Sequence, residues 1–312
     1  MTVDSEIQAE ATKILVDHLK LSPENVGEMR RLDETSGYCS IILSIDLNWP
    51  DDTNSRISDR PNRLVLKLPT LAKLPEGGGD NMQQLLTEVH NTECEMYDYF
   101  ARVERFLKVP APKCYGSRIR CDAQNGFLLL EDWSVQGKLP DFKNGMNLQQ
   151  CYQVMENVST VQIAGMLDNS WRSVVKLPYR EYVEDADKII EKHWETLKTD
   201  YPDDYTLTKE EVVKLNDPLS IRAVREPSDD EFTVLVHGDL WANNIMVKTD
   251  KNGELSDSIL GFFDWQAAHR GRPTQDIGHF LVQCVSTELR RNHTEDLLRR
   301  YYETLKSLAE KH

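Results

Sequence analysis

The sequence predicts an α+β chain with a β-rich N-terminal part, residues 1–131, and a mainly helical C-terminal part, residues 132–312. Three observations carry this expectation. Short apolar runs bounded by turn residues crowd the first part, as in "YCSIILSIDL", "RLVLKL" and "GFLLLEDW". Helical periodicity dominates afterwards, over 147–168, over 179–199 and towards the C-terminus. With 312 residues, 39% of them apolar and 29% charged, the chain can bury a sizeable core in one large domain or two lobes.

The elements follow in order. "MTVDSEIQAEATKILVDHLK" reads as an amphipathic helix with Ile7, Ala11, Ile14, Leu15 and Leu19 on one side. In the first strand Cys39, Ile41, Leu43, Ile45 and Leu47 face one way; Tyr38, Ser40, Ile42, Ser44 and Asp46 face the other. A polar turn region, 48–62, leads to a second strand at 63–68. "PEGGGDN" is a flexible loop before a helix from 82 to about 106. "KCYGSRIR" and "GFLLLEDW" are two strands around the turn residues Asp122 to Asn125. Asn147 is placed to cap the first C-terminal helix. A polar stretch runs to about residue 230. The strands "FTVLV" and "NIMVK", the turn "DKNG", the strand "ILGFFDW" and further helices complete the chain.

Composition excludes several classes. The net charge of −15 argues against general nucleic-acid binding, which needs clustered Lys and Arg, and leaves room only for a local basic pocket. No run of about 18 apolar residues is present, so no membrane span is expected. The charged N-terminus does not read as a signal peptide. The cysteines at 39, 94, 114, 121, 151 and 284 form no CxxC pair, which points to reduced thiols and a cytoplasmic protein.

Several polar residues stand where apolar ones are expected. In the long helix, Leu86, Val89, Met96, Tyr97, Phe100 and Val103 make a stripe, and the spacing of Glu93 points it into that stripe. Lys67, in a short apolar strand, is a candidate partner. Two readings stay open: Lys67 snorkels from an exposed face with Glu93 at the rim, or the two pair as a strand lysine and helix glutamate that aim at phosphate. In "HGDLWANN", His237, Asp239 and Asn244 lie between two apolar segments. Asp239 can accept a proton from an attacking hydroxyl, and Asn244 can offer an oxygen to magnesium; an Asx turn is the plainer reading. Asp264 ends an apolar strand and needs a cation, a metal or a set of donors, unless it caps the next turn. Asp276 sits at the start of an apolar helix, where a carboxylate suits the dipole. His237, His269 and His279 lack metal-ligand spacing, and G-x-S-x-G, G-x-G-x-x-G and the Walker A pattern are absent.

Lys67, Glu93, "FLLLED", "HGDLWANN", "FFDWQ" and "PTQDIGHFL", in that order, resemble the aminoglycoside phosphotransferase and choline kinase superfamily. The resemblance is closest to its ecdysteroid kinase-like, or CHK kinase-like, branch, with its H-G-D-x-W-x-x-N loop and D-(F/W)-Q motif. It covers nearly the whole chain and implies a two-lobed protein-kinase-like fold. By resemblance, Asp239 is the catalytic base, Asn244 and Asp264 are magnesium ligands, and Lys67, held by Glu93, contacts the phosphates of ATP. Leu129 to Trp133, including Leu130, Glu131 and Asp132, is the hinge whose backbone meets adenine. Asp276 braces the catalytic loop and His237 holds its shape. "TSGYCSI", 35–41, stands where a nucleotide-covering loop belongs, although it has one glycine only. Family members commonly run on with further helices past "LKSLAEKH", so a shortened acceptor pocket is a further expectation.

The function so implied is an ATP- and Mg2+-dependent kinase acting on a small-molecule alcohol, ecdysteroid- or sterol-like or choline- or ethanolamine-like. The alternative is a non-catalytic nucleotide-binding protein on the same fold. A protein kinase fits less well, because A-P-E is absent and Pro273 follows Asp264 by only nine positions.

Overall fold

The computed structural model describes residues 3–32, 39–49, 60–71, 79–141, 143–173, 194–196, 198–199, 208–215, 227–228 and 230–312. The architecture is α+β, with the larger sheet in the N-terminal part. Strands β1 (Val26–Arg31), β2 (Ser40–Leu47), β3 (Arg63–Pro69), β4 (Cys114–Arg118) and β5 (Phe127–Glu131) form an antiparallel sheet of order β1-β2-β3-β5-β4. Helix α1 (Ser5–Leu19), capped by the Asp4 side chain, buries Ala11, Ile14, Leu15 and Leu19. These pack on Leu43, Ile45, Leu47, Leu64, Leu66, Leu68, Phe127 and Leu129, one face of the sheet. The alternate residues Val65, Leu128 and Leu130 join the second core, with helix α2 (Gly79–Val103). The two-residue period of β3 therefore turns Lys67 towards α2. Because β3 pairs with both β2 and β5 and Lys67 is buried, the reading in which it snorkels from an exposed face fails.

The C-terminal part carries two small sheets. One pairs β6 (Gly137–Lys138) with β8 (Ile245–Thr249), and β8 with β9 (Leu255–Phe262). The other pairs β7 (Val234–Val236) with β10 (His269–Gly271). Around them lie α3 (Leu148–Leu167), α4 (Lys209–Leu215), α5 (Gln275–Cys284) and α6 (Thr287–Lys311). Asn147 caps α3 in a reciprocal box with Gln150. The "DKNG" turn closes on Asp250, whose Oδ1 accepts from the N–H groups of Asn252 and Glu254; Gly253 takes φ +79°.

Some expectations shift. The long helix runs from 79 to 103 and gives way to a turn, and the "FTVLV" strand starts at Val234, where its pairing with Gly271 of β10 begins. The charged edge strand β1 and the short strands β6 and β10 escape periodicity; each is set by its partner strand. Of the helix expected over 179–199, residues 194–196 and 198–199 are described and helical. Its other residues, 50–59 of the polar turn, 75–78 of "PEGGGDN" and 35–38 of "TSGYCSI" lie outside the described residues. Among the described residues no helix is long and apolar enough to cross a membrane.

Candidate active site

Strand β7 delivers His237 to the end of the small sheet, and the chain then turns at Gly238. Gly238 has φ +83°, and a Cβ there would sit 2.1 Å from Ala267 O, so only glycine fits. The peptide is held from across the site. Asp276 Oδ2 accepts from His237 N–H at 2.7 Å, and Oδ1 from Gly238 N–H at 3.0 Å. His237 Nδ1 accepts from Asp239 N–H at 3.3 Å, so Nε2 carries the hydrogen and donates to Phe263 O at 2.9 Å. That pattern fits a neutral imidazole that shapes the loop. Asn244 Nδ2 donates to Asp239 O at 2.8 Å and to Asp239 Oδ2 at 3.0 Å. The same amide closes the loop and orients the Asp239 carboxylate.

The β8–β9 pairing brings the third carboxylate to the same place. Ile245 stands opposite Phe262, and Phe263 N–H donates to Asn244 O at 3.1 Å. Asn244, just before β8, and Asp264, just after β9, thus emerge at one end of the hairpin. Asp264 adopts the left-handed conformation, φ 64° and ψ 60°, which costs a non-glycine residue roughly 1 kcal/mol. Behind it the buried Trp265 ring lies 4.7 Å from Phe100 of α2 and 4.5 Å from His237, centroid to centroid.

Lys67 joins the two parts of the molecule. Its Nζ donates to Glu93 Oε2 at 2.6 Å and to Asp264 Oδ1 at 2.7 Å. Glu93 is buried, not at the rim of its helix stripe. Burial alone would lower the proton affinity of Lys67, but the charges of Asp264 and Glu93 outweigh it and hold the ammonium above its ordinary range. Burial pushes the Glu93 carboxyl up against the pull of Lys67. Glu93 Oε1 is buried and has no hydrogen-bond partner. Cys39, half-buried, senses the same pair: burial raises its thiol, Lys67 lowers it and Asp264 raises it again.

The residues expected to form the hinge lie at the end of β5. Leu130 is buried, and Glu131 N–H already donates to Lys113 O at 2.8 Å. Asp132 is buried with both oxygens engaged, Oδ2 by Ser44 Oγ and Oδ1 by Ser134 N–H at 2.9 Å. Its side chain therefore fastens the segment after β5 to β2. Lys67, Glu93 and Asp264 form one group and Asn244, Asp239, His237 and Asp276 another; they meet at the adjacent residues Phe263 and Asp264, and Leu130, Glu131 and Asp132 stand apart from both. A cavity of about 950 Å3 lies elsewhere, between α2 and the turn at 121–125, and none of these residues line it. Two contributors went unseen in the sequence. Phe263 acts through its backbone, which leaves no trace in residue type. Ser44 did leave one, as a hydroxyl on the strand face that carries Lys67.

The family and the fold follow from comparison. Residues 34–312 match the ecdysteroid kinase-like family. The chain is 26% identical over 290 residues to "Uncharacterized oxidoreductase dhs-27" of Caenorhabditis elegans, covering 88% of this chain and 34% of that protein. It is 25% identical over 258 residues to "Uncharacterized kinase-like protein D1044.1" of the same organism, covering 78% of this chain and 65% of that protein. The chain thus spans about a third of one relative and under two thirds of the other. Its fold is similar to that of the GDP complex of aminoglycoside 2'-phosphotransferase-IIIa, with TM-score 0.53 at 13% identity, covering 97% of this chain and 88% of that one. The fold is protein-kinase-like, and the chain belongs to the ecdysteroid kinase-like family.

Proposed function

We propose that the chain is an ATP- and magnesium-dependent kinase that phosphorylates the hydroxyl of a small-molecule alcohol, an ecdysteroid- or sterol-like or a choline- or ethanolamine-like acceptor. The observation that supports this best is the continuity of the network: Asp239 to Asn244, Asn244 to Phe263, and Asp264 to Lys67 and Glu93. In this reading Asp239 accepts the proton of the attacking hydroxyl, and Lys67, steadied by Glu93, contacts the ATP phosphates. The backbone of Leu130, Glu131 and Asp132 faces adenine. His237 and Asp276 hold the loop and touch no substrate.

Magnesium fits the donors present. It favours hard oxygen ligands, and the Asn244 amide turns its nitrogen to Asp239, which leaves Oδ1 to a cation beside the carboxylate of Asp264. Bound there, magnesium would supply positive charge against the phosphates. The second reading, nucleotide binding without transfer, draws on the Lys67–Asp264 contact at 2.7 Å, which occupies an oxygen the metal would need.

The test is ATP turnover with a panel of ecdysteroids, sterols, choline and ethanolamine, comparing wild type with Asp239→Asn. Loss of a general base lowers kcat about 10²–10⁴-fold. Magnesium-dependent ATP binding should survive in the variant. Binding with no turnover of any acceptor favours the second reading, and an active wild type matched by Asp239→Asn removes Asp239 from its role.

A further inference from the structure

Gln162 lies in α3, only 1% exposed, and phosphoryl transfer as read above makes no use of it. Its amide is engaged at both ends. Nε2 donates to Pro273 O at 2.8 Å, and Oε1 accepts from Tyr301 Oη of α6 at 2.6 Å. A carbonyl can only accept, so the amide has one orientation. Ser159 Oγ of α3 lies 2.9 Å from Tyr301 O and 2.9 Å from Met155 O, sharing its one hydrogen between them, and so keeps the helix bearing the phenol close to α3. Burial pushes the Tyr301 hydroxyl up to about 12, so it remains a donor across working pH. Helices α3 and α6 and the turn before α5 meet on this one amide.

That turn carries Asp276. Pro273 has no N–H, and Thr274 heads α5 without a side-chain cap. Gln275 directs its side chain to His269 at 2.9 Å. Asp276 gives its carboxylate to His237 and Gly238 rather than to its own helix. The turn has its own backbone bonds, Gln275 N–H to Arg272 O at 3.0 Å and Gly278 N–H to Thr274 O at 2.9 Å. Gln162 adds a fixed donor from outside, three positions before Asp276. A shift of Pro273 carries Asp276 with it, and Asp276 grips the two peptides next to Asp239.

We infer that Gln162, oriented by Tyr301, is a positioning residue for Asp239, acting through the 273–276 turn and the Asp276 carboxylate. The inference rests on the reading of Asp239 as the base, and its test separates the two. Two measurements on the full chain serve: amide exchange over residues 234–240 without ligand, and hydrolysis of Mg-ATP without acceptor. Gln162→Leu should raise exchange in that segment and lower kcat about tenfold, with KM for ATP unchanged. Tyr301→Phe keeps the donor to Pro273 and should lower kcat about threefold. A lowered Tm with exchange and kcat at wild-type values would mean a packing role and overturn the inference. Should Gln162→Leu fail to fold, Tyr301→Phe decides on the same two readouts. If Asp239→Asn hydrolyses ATP like wild type, the base assignment fails, and unchanged exchange over 234–240 in Gln162→Leu would separately refute the link to Asp276.

Discussion

The Lys67 cluster and the Asp239 loop meet at Phe263 and Asp264, yet they hold their carboxylates by opposite means. Around Lys67, charge answers charge: one buried ammonium serves Glu93 and Asp264, which lie 26 and 197 positions away in the chain. Around Asp239 the donors are neutral. Two backbone N–H groups hold Asp276 and the Asn244 amide holds Asp239; among the described residues no Lys or Arg pairs with either carboxylate. Neutral donors are local and barely feel salt or pH. A three-charge cluster responds to pH, and its Asp264 leg, 25% exposed, spans the two parts of the chain. The site therefore pairs a fixed loop with an adjustable cluster, which suits the proposed function, where a metal and phosphates would replace one contact and leave the Asp239 loop in place.

Breaking the cluster should give the largest change in stability. Lys67→Met leaves Glu93 buried beside Asp264 with no cation, and loss of one partner of a buried pair costs about 3–5 kcal/mol. Asp264 is 25% exposed, so its share is smaller. In the variant, burial and Asp264 still raise the Glu93 carboxyl, and Lys67 no longer opposes them. The folded state then keeps a proton that the unfolded chain releases near pH ~4.3, so stability falls as pH rises from there towards neutrality. Wild type shares part of that slope, but Lys67 is held above its ordinary range and stays charged well into alkaline pH. Urea midpoints should show a wider gap between wild type and variant at pH 8 than at pH 5. An equal gap at both would mean that the three groups are not coupled by charge.

The loop should answer differently. Asp276→Asn keeps one acceptor oxygen and leaves His237 or Gly238 with a bare N–H, at about 1–3 kcal/mol. The loss should not change between low and high salt. Amide exchange at His237 and Gly238 should rise together with the fall in kcat. A strong salt dependence would mean that Asp276 acts as a charge and not as a pair of acceptors.

This contrast explains what could be read from the sequence. Glu93 and Lys67 announce themselves as charges inside apolar patterns, because burying them is costly, and the two-residue period of β3 turns Lys67 towards α2. Asn147 was legible as a cap for the same reason: its chemistry is local. Asp276 was not legible from its neighbourhood. A carboxylate in the first turn of a helix suits the dipole, and only the fold reveals that it faces His237 and Gly238 instead. The resemblance supplied that brace where periodicity could not. The edge of β1, the two-residue β6 and the Phe263 backbone contacts depend on partners far away in the chain, so residue type carries little of them.

Asp132 shows which of the two regimes the hinge follows, through the smallest predicted effect. It is a buried carboxylate just after β5, and its donors are Ser44 Oγ and Ser134 N–H and Oγ, all neutral. Ser44→Ala removes one donor and leaves the others, so the cost should be about 1 kcal/mol and independent of salt. Its functional trace should also be distinct. Ser44 ties β2 to the segment proposed to meet adenine, 88 positions away, and touches nothing near Asp239. Loosening it should raise KM for ATP about two- to threefold and leave kcat unchanged, the signature of lost binding common to ground and transition states. A fall in kcat instead would place the hinge in mechanical contact with the loop, and the separation between fixed loop and adjustable cluster would have to be redrawn.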